Sequence, residues 1–249
     1  MSIDIKKYLN IPQDCFIGKK IFKKLFYENY KFKSAEKKLF KEDIDEINWL
    51  YSLKPEFANI PAYVDDEVDY REIAYIEVSL NKESKIVKIL EIIHNSIPYP
   101  LVLIFKFEHK TFISLAHKRI NKNDREKSVV GNIINTGWIE NEVDELTKKF
   151  LLSINFKKLP FQDLYAHFSK LLDLVVDLEC ERKFGGKSEG QVSADEKIQI
   201  LKSISSYESR IEKLVKDLAQ EEHIGRKVEI NIEIKNIESQ IWELKKQIS

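Results

Sequence analysis

The sequence contains few of the residues that cross-link a small protein. Its 249 residues include two cysteines, Cys15 and Cys180, and no CxxC pair. Two cysteines cannot form a disulfide framework, and without a CxxC pair they do not indicate a zinc site. We therefore expect a protein of the reducing cytoplasm in which both thiols serve packing.

An excess of charge of one sign and long apolar runs are also lacking. Lys and Arg together number 41, and Asp and Glu together also number 41, so the formal net charge is zero. This balance removes the overall positive potential on which sequence-independent nucleic-acid binding relies, although a local basic patch is compatible with it. No apolar run approaches the roughly 20 residues that span a bilayer. We expect no association with a membrane.

Apolar residues nevertheless make up 43% of the chain, which is enough for a substantial core. Residues 47–53 and 73–80 are predicted strands, residues 86–94 a helix capped by Ser84, and residues 100–120 a β-hairpin that turns at 108–110. An apolar stripe predicts a further helix over residues 161–179. We therefore predict an α+β domain over residues 1–184, with a mixed β-sheet core and flanking helices.

The C-terminal part has a different pattern. Residues 185–193 contain three of the seven glycines and are predicted to form a linker. Beyond it, two apolar runs show the alternating spacing of coiled-coil seams, and their phase breaks near Gly225. We predict an antiparallel coiled-coil helical hairpin over residues 194–249, the alternative being one bent helix that pairs in a dimer. The hairpin is also the predicted partner-binding element, through the seam residues Ile200, Ile204, Ile211, Leu214, Leu218, Ile230, Ile234, Ile237, Ile241 and Leu244.

The stretch DYREIAYIEVSLNK, residues 69–82, contains the candidates for catalysis. A nuclease of the PD-(D/E)xK type needs an acidic residue followed two positions later by lysine, so that carboxylates hold a metal and the lysine supports the attacking water. Here Glu77 is followed two positions later by Ser79. One hypothesis is a metal-dependent site assembled from the charged residues of this stretch; the other is a row of solvated charges on a half-buried strand. The candidates are Asp69, Glu72, Glu77 and Lys82.

Other motifs are absent or weak. The five histidines show no metal-binding spacing, so we predict neither a metal nor a cofactor and expect surface or cap positions for them. Near the N-terminus, lysines alternate with aromatic residues that could stack on bases. The alternative is an amphipathic helix with a solvated face. The lysines concerned are Lys19, Lys20, Lys23 and Lys24.

Several segments together resemble a known bacterial family, catalogued as domain of unknown function 4391. They are KKIFKK, INWLYSLKP, EIAYIEVSL, SIPYPLVLIF and the C-terminal EEHIGRKVEINIEIKNIESQIWELKK. The order and spacing of the segments agree with the family, and the likeness covers most of the chain. Asn81 departs from the pattern, because the strand is expected to lead directly into lysine, and this weakens the case for Lys82.

The resemblance implies a context and no mechanism. Members of the family tend to be encoded beside DNA methyltransferases and helicases of restriction-like or anti-phage systems, and the family supplies no catalytic residues. The leading hypothesis is a non-catalytic accessory or interaction subunit that docks a helicase or methyltransferase of the same operon. The alternatives are a diverged metal-dependent PD-(D/E)xK-like nuclease subunit and a nucleic-acid-binding adaptor. Self-association through the coiled coil is compatible with all three.

Overall fold

A computed structural model describes residues 3–83, 85–122, 128–185 and 192–248. The chain forms two compact units, Met1–Leu178 and Glu179–Ser249. The predicted linker, residues 185–193, lies mostly outside the described residues. The predicted capping residue Ser84 also lies outside them. The α+β fold class with a C-terminal helical hairpin is confirmed.

A six-stranded mixed sheet forms the centre of the first unit. In spatial order its strands are β1 (Phe16–Lys20), β2 (Ile44–Leu53), β5 (Ile73–Leu80), β6 (Leu101–Phe107), β7 (Lys110–Ala116) and β10 (Ile134–Ile139). Neighbouring strands are antiparallel except β5 and β6, which are parallel. Two small antiparallel pairs, β3 (Tyr63–Val64) with β4 (Asp69–Tyr70) and β8 (Lys118–Ile120) with β9 (Ser128–Val130), lie outside this sheet.

Seven α-helices and two short 3-10 helices belong to the described part of the chain before the linker. The α-helices are α1 (Ile5–Leu9), α2 (Lys23–Asn29), α3 (Ser34–Asp43), α4 (Pro55–Ala58), α5 (Ile86–Ser96), α6 (Glu145–Ser153) and α7 (Leu164–Phe184). Helix α5 carries the chain from β5 back to β6, and this return connection is what makes the two strands parallel. The predicted strand 47–53, helix 86–94 and hairpin at 108–110 correspond to β2, α5 and the β6–β7 turn.

The main core lies on one face of the sheet. Alternate residues of β5 and β6 pack there against α2, α3 and α5, with Phe26, Phe40 and Ile89 among the buried side chains of these helices. Tyr75 and Ile104, which point to the opposite face, are also almost fully buried. Of the two hypotheses for residues 69–82, solvated charges on a half-buried strand do not describe β5, because β5 is an internal strand covered on both faces and Glu77 is only 7% exposed. Lys82, beyond the end of the strand, is exposed.

The second unit contains two long helices, α8 (Ala194–Gln220) and α9 (Ile224–Lys246), that pack against each other. Ser193 caps α8 through a reciprocal pair of hydrogen bonds with Glu196. Only residues 221–223 separate the helices, so the chain must reverse direction between them. Arg210 of α8 pairs with Glu233 of α9 at the positions that an antiparallel hairpin brings together. The hairpin prediction is confirmed.

Candidate functional site

The four charged candidates of residues 69–82 are spread over β4, β5 and the residues that flank β5. Asp69 lies in β4 and Glu72 directly precedes β5, Glu77 lies within β5, and Lys82 follows its end. The eight residues of β5 span about 26 Å at roughly 3.3 Å per residue. Lys82 Nζ lies 3.7 Å from a carboxylate oxygen of the buried Asp43. The structure therefore brings Asp69 and Glu72 to one end of β5 and leaves Glu77 and Lys82 separate from them.

Asp69 and Glu72 line a cleft of about 850 Å³ beside the start of β5 and β6, which we call the strand-end cleft. Ser52 Oγ donates a hydrogen bond to Glu72, and Lys54 Nζ lies 3.7 Å from the second Glu72 oxygen. Arg71 pairs with Asp69 at 3.6 Å. Both acidic candidates in this cleft are therefore already paired with basic side chains.

Lys118 also lines this cleft, and it is buried at the C-terminus of α5. Its Nζ donates to the carbonyl oxygens of His94, at 2.8 Å, and Ile97. These acceptors belong to the helix end, where carbonyls have no partner within the helix. Burial lowers the pKa of Lys118 to about 7. The amine therefore caps α5, and this use of its protons argues against a nucleophilic role.

Two histidines are core residues, so the expectation of surface or cap positions is wrong for them. His94 and His167 are fully buried. His94 Nε2 lies 3.2 Å from Ser114 Oγ, and His167 Nδ1 donates to the carbonyl oxygen of Pro160 at 3.0 Å. Burial, followed by the charge of Lys118, lowers the pKa of His94 to about 3. His94 lies on α5 and His167 on α7, and both rings are buried in the core. The spacing of the histidines in the sequence does not reveal this burial.

Glu77 belongs to a second polar group, on the face of the sheet opposite α5. In the strand register Asn48 is opposite Glu77, and Glu46 is opposite Ser79. On the other side of β5, Lys106 of β6 is the direct neighbour of Ser79. Side chains that are opposite one another share a face, so these residues form one set, which we call the polar row. Its members are Glu46, Asn48, Glu77, Ser79 and Lys106.

Two ammonium groups balance the Glu77 carboxylate. Lys106 Nζ lies 2.5 Å from Glu77 Oε2, and Lys6 Nζ of α1 lies 3.8 Å from the same oxygen. These two ion pairs compensate the charge of the buried carboxylate. At the other end of the row, Glu46 accepts a hydrogen bond from Asn48 at 2.9 Å and pairs with Lys20 at 3.4 Å. The Asn48 hydrogen bond and then Lys20 lower the pKa of Glu46.

Sequence analysis missed Glu46 and Lys106. The nuclease motif was sought within one strand, where position 79 is serine, whereas the lysine nearest to Glu77 comes from the neighbouring parallel strand. Register between strands is a tertiary property, and one sequence does not record it. The available signal was weaker: Lys106 interrupts an otherwise apolar strand, residues 101–107.

Three of the four N-terminal lysines make contacts within the protein. Lys20 pairs with Glu46, and Lys24 lies 3.7 Å from Glu28. Lys23 Nζ donates to the carbonyl oxygens of Lys41, at 3.1 Å, and Ile44, and burial is the main cause that lowers its pKa. The nearby aromatic residues largely pack on one another around the buried Phe40. This arrangement favours a structural role for the segment.

The hairpin has an apolar surface besides its seam. The predicted seam residues are buried or half-buried between the helices, so they pack on each other. Four large apolar side chains of α9 are exposed: Ile224 at 79%, Val228 at 53%, Ile232 at 55% and Trp242 at 56%. The first three recur every fourth residue and lie on the side of α9 away from Ile230 and Ile237. We call the four exposed residues the outer face of α9.

No group of three or more His, Cys, Asp or Glu side chains within residues 3–83, 85–122, 128–185 and 192–248 is arranged to hold a metal ion. Among the helices formed by these same residues, none combines the length and apolar character needed to cross a bilayer.

Comparison with models of known protein families gives a match over most of the chain. A model of the family described as Domain of unknown function (DUF4391) matches residues 9–241. No curated protein and no solved structure matches the chain. The match extends over most of both units and agrees with the resemblance in the sequence.

Proposed function

The chain belongs to the DUF4391 family, and we propose that it acts as an accessory subunit that docks a larger DNA-processing protein through its C-terminal hairpin. The partner is a helicase or DNA methyltransferase of the same operon, in a restriction-like or anti-phage system. The family resemblance supports this context, and the surface of α9 supports the docking role.

The observation that carries the proposal is that α9 is apolar on two opposite sides. One side is used by the seam with α8, where Ile230, Ile237 and Ile241 are buried. The other side is the outer face, which includes an exposed tryptophan and three exposed aliphatic residues. Helices that pack on a single neighbour need one apolar stripe, and a second stripe is typical of a helix that binds another element. The outer face therefore suits a partner surface.

The seam residues that sequence analysis assigned to partner binding have a different role in this proposal. Ile204 is fully buried and Ile237 nearly so, because each packs within the hairpin. A partner could reach them only if the hairpin opened. The proposal therefore transfers partner binding from the seam to the outer face.

The test is a pair of double variants of the full chain. Val228→Glu with Ile232→Glu places two charges on the outer face, while Asn236→Glu with Gln240→Glu adds the same charge at exposed polar positions of the same helix. Binding to the helicase or methyltransferase encoded beside the gene is measured by calorimetry. We expect the first variant to lose at least about tenfold in affinity, and the second to bind normally.

Two results would contradict the proposal. One is unchanged partner binding by the outer-face variant. The other is a dimer of the wild-type chain, seen by light scattering, that the outer-face variant alone abolishes while partner binding persists; the occupant would then be a second copy of the chain.

A further inference from the structure

The charged residues of the first unit are unevenly distributed along the chain. Residues 16–41 contain nine lysines and two acidic residues, whereas residues 42–83 contain twelve acidic and three basic residues. The net charge of zero for the whole chain therefore coexists with a strong local excess of positive charge. Such a segment attracts an anionic partner where the fold leaves its lysines exposed and without carboxylate partners.

Both acidic residues of 16–41 already have a lysine partner. Glu28 lies 3.7 Å from Lys24, and the buried Glu36 lies 3.2 Å from Lys88 of α5. Five other lysines of the segment are exposed, and among the residues that the structure describes none of the five forms an ion pair. We call them the basic face: Lys31, Lys33, Lys37, Lys38 and Lys41.

Helix α3 holds three of these lysines on one outward side. An α-helix has 3.6 residues per turn, so Lys37, Lys38 and Lys41 lie within an arc of about 100°. The buried Glu36 and Asp43 lie on the opposite side of the helix. The regular backbone of α3 therefore fixes the spacing of the three ammonium-bearing side chains.

The length of the basic face fits the spacing of charge on duplex DNA. From Lys33 to Lys41 the chain advances eight residues, about 12 Å at 1.5 Å per residue. One strand of a duplex has a phosphate about every 3.4 Å along the axis, so about three to four phosphates of that strand occupy this length. The exposed Glu42 and Asp45 follow Lys41, and the basic face ends there.

We propose that the basic face binds the phosphate backbone of double-stranded DNA without reading its sequence. Every basic residue before residue 71 is a lysine. Lysine contacts phosphate as a point charge, whereas the planar fork of arginine suits bidentate recognition. The aromatic residue of α3, Phe40, is buried, so the outward side of this helix has no ring on which unpaired bases could stack. This favours a duplex over a single strand.

Two other anionic partners suit this surface less well. A helix that lies on a membrane inserts large apolar side chains into it, whereas Phe40 of α3 belongs to the core of the protein. The centre of a protein–protein interface is depleted of lysine. A face made of five lysines is therefore better suited to a polyanion with regularly spaced charges.

The basic face differs from the lysines that the sequence indicated for nucleic-acid binding. Lys20 and Lys24 have carboxylate partners, and Lys23 donates to two carbonyl oxygens. The phosphate contacts are therefore assigned to α3 and to the two lysines that precede it. The basic face belongs to the first unit and the outer face of α9 to the second, so this proposal and the docking proposal can fail separately.

The experiment measures binding of the purified full chain, without a partner, to a fluorescent DNA duplex by anisotropy at several salt concentrations. Each neutralised phosphate lowers the slope of log affinity against log salt by about 0.9, so the three lysines of α3 account for about 40-fold in affinity between about 50 and 200 mM salt. Replacing all three by glutamine should remove this part of the slope and at least about tenfold of the affinity at the lower salt. The substitutions are Lys37→Gln, Lys38→Gln and Lys41→Gln.

Three exposed lysines of the hairpin provide the matched control. Lys213→Gln, Lys216→Gln and Lys235→Gln together remove the same charge from helical positions and should leave the affinity for the duplex within about twofold of wild type. If the α3 variant fails to fold, Lys31→Gln with Lys33→Gln, outside the helix, carries the test.

The outcomes that overturn the proposal concern both the wild type and the variants. One is a wild-type chain that does not bind the duplex at the lower salt. Another is an α3 variant with the wild-type melting temperature that binds the duplex as tightly as the wild type. A third is tighter binding of the wild type to phosphatidylserine vesicles or to polyglutamate than to the duplex, since a membrane or an acidic protein would then be the occupant.

Discussion

Buried polar residues of the first unit form a small connected group at the end of α5. His94 lies in the last turn of this helix, and its carbonyl oxygen accepts a hydrogen bond from Lys118. The ring of His94 is held in the core beside Ser114. Two basic side chains are thus kept close together away from water, so the ring is neutral and only the amine can carry a charge. This arrangement has a consequence for stability in acid.

Stability should fall as the pH drops below about 6.5. The unfolded chain binds a proton at His94 with a pKa near 6.5, whereas burial and the charge of Lys118 lower the folded-state pKa to about 3. Between these values the unfolded state binds more protons, so the free energy of unfolding decreases by about 1.4 kcal/mol per pH unit for this one group. Burial also lowers the pKa of His167, which adds in the same direction.

Urea unfolding at several pH values between 7 and 4 measures this slope. His94→Gln removes the titrating group, so the dependence of stability on pH should become shallower even if the variant is less stable at pH 7. His109→Gln at an exposed position is the control for the loss of a histidine side chain as such. An identical slope in the His94 variant and the wild type would show that the ring does not stay neutral in the folded protein.

At the scale of elements, the sequence predicted those whose pattern repeats along the chain. Strands β2 and β5, helix α5 and both arms of the hairpin have apolar residues at regular spacing, and each was recognised. Strand β1 was missed, because its five residues are exposed and include two lysines. The pairs β3–β4 and β8–β9 have two or three residues per strand, too few for any period to appear. The polar row was missed for a related reason: it exists only through the register between strands.

Both edge strands of the main sheet contain an irregularity at a glycine. The β1–β2 register shifts between Phe16 and Lys19, and the β10–β7 register shifts between Asn135 and Trp138. Gly18 and Gly137 lie within these shifts, each with φ of 61°. Bulges of this kind interrupt the regular row of unpaired backbone groups at a sheet edge and oppose pairing between molecules. The bulges in β1 and β10 therefore disfavour pairing of either edge strand with another molecule.

Alanine at two glycines should have opposite effects on stability. At Gly18 a Cβ atom would lie 2.6 Å from the Phe16 ring, and the positive φ disfavours any side chain. We expect Gly18→Ala to destabilise the protein by about 1 kcal/mol. Gly225 lies in the first turn of α9 with nothing within 4 Å of its added Cβ, so Gly225→Ala should stabilise the hairpin by about 0.5 kcal/mol. Thermal unfolding of both variants measures these changes in stability. A less stable Gly225→Ala variant would contradict the assigned start of α9 at Ile224.

The two sides of α9 can be compared through isoleucines two residues apart. Ile230 is 6% exposed in the seam with α8, and Ile232 is 55% exposed on the outer face. Ile230→Ala should cost about 2–4 kcal/mol, because it leaves a cavity in the seam. Ile232→Ala should change the stability by less than about 0.5 kcal/mol. Chemical denaturation followed by circular dichroism measures both, and equal effects would mean that the two sides are equally packed.

At the scale of the whole molecule, each unit has an apolar core of its own. The first core lies between the sheet and α2, α3 and α5, and the second is the seam of the hairpin. The proposed docking surface, the outer face of α9, belongs to the second unit. A chain shortened at the linker should therefore lose partner binding and keep the fold of the sheet.

A chain that ends at residue 190 tests this division. It lacks α8 and α9, which contain 27 and 23 residues, so circular dichroism should show a loss of helix much larger than the loss of strand. The main sheet and its core are complete within residues 1–178, and we expect the shortened chain to unfold cooperatively on heating. Binding to the helicase or methyltransferase should disappear, because the outer face is gone. If the shortened chain is unfolded, the hairpin belongs to the folding unit of the sheet. If it is folded and still binds the partner, the docking surface lies on the first unit.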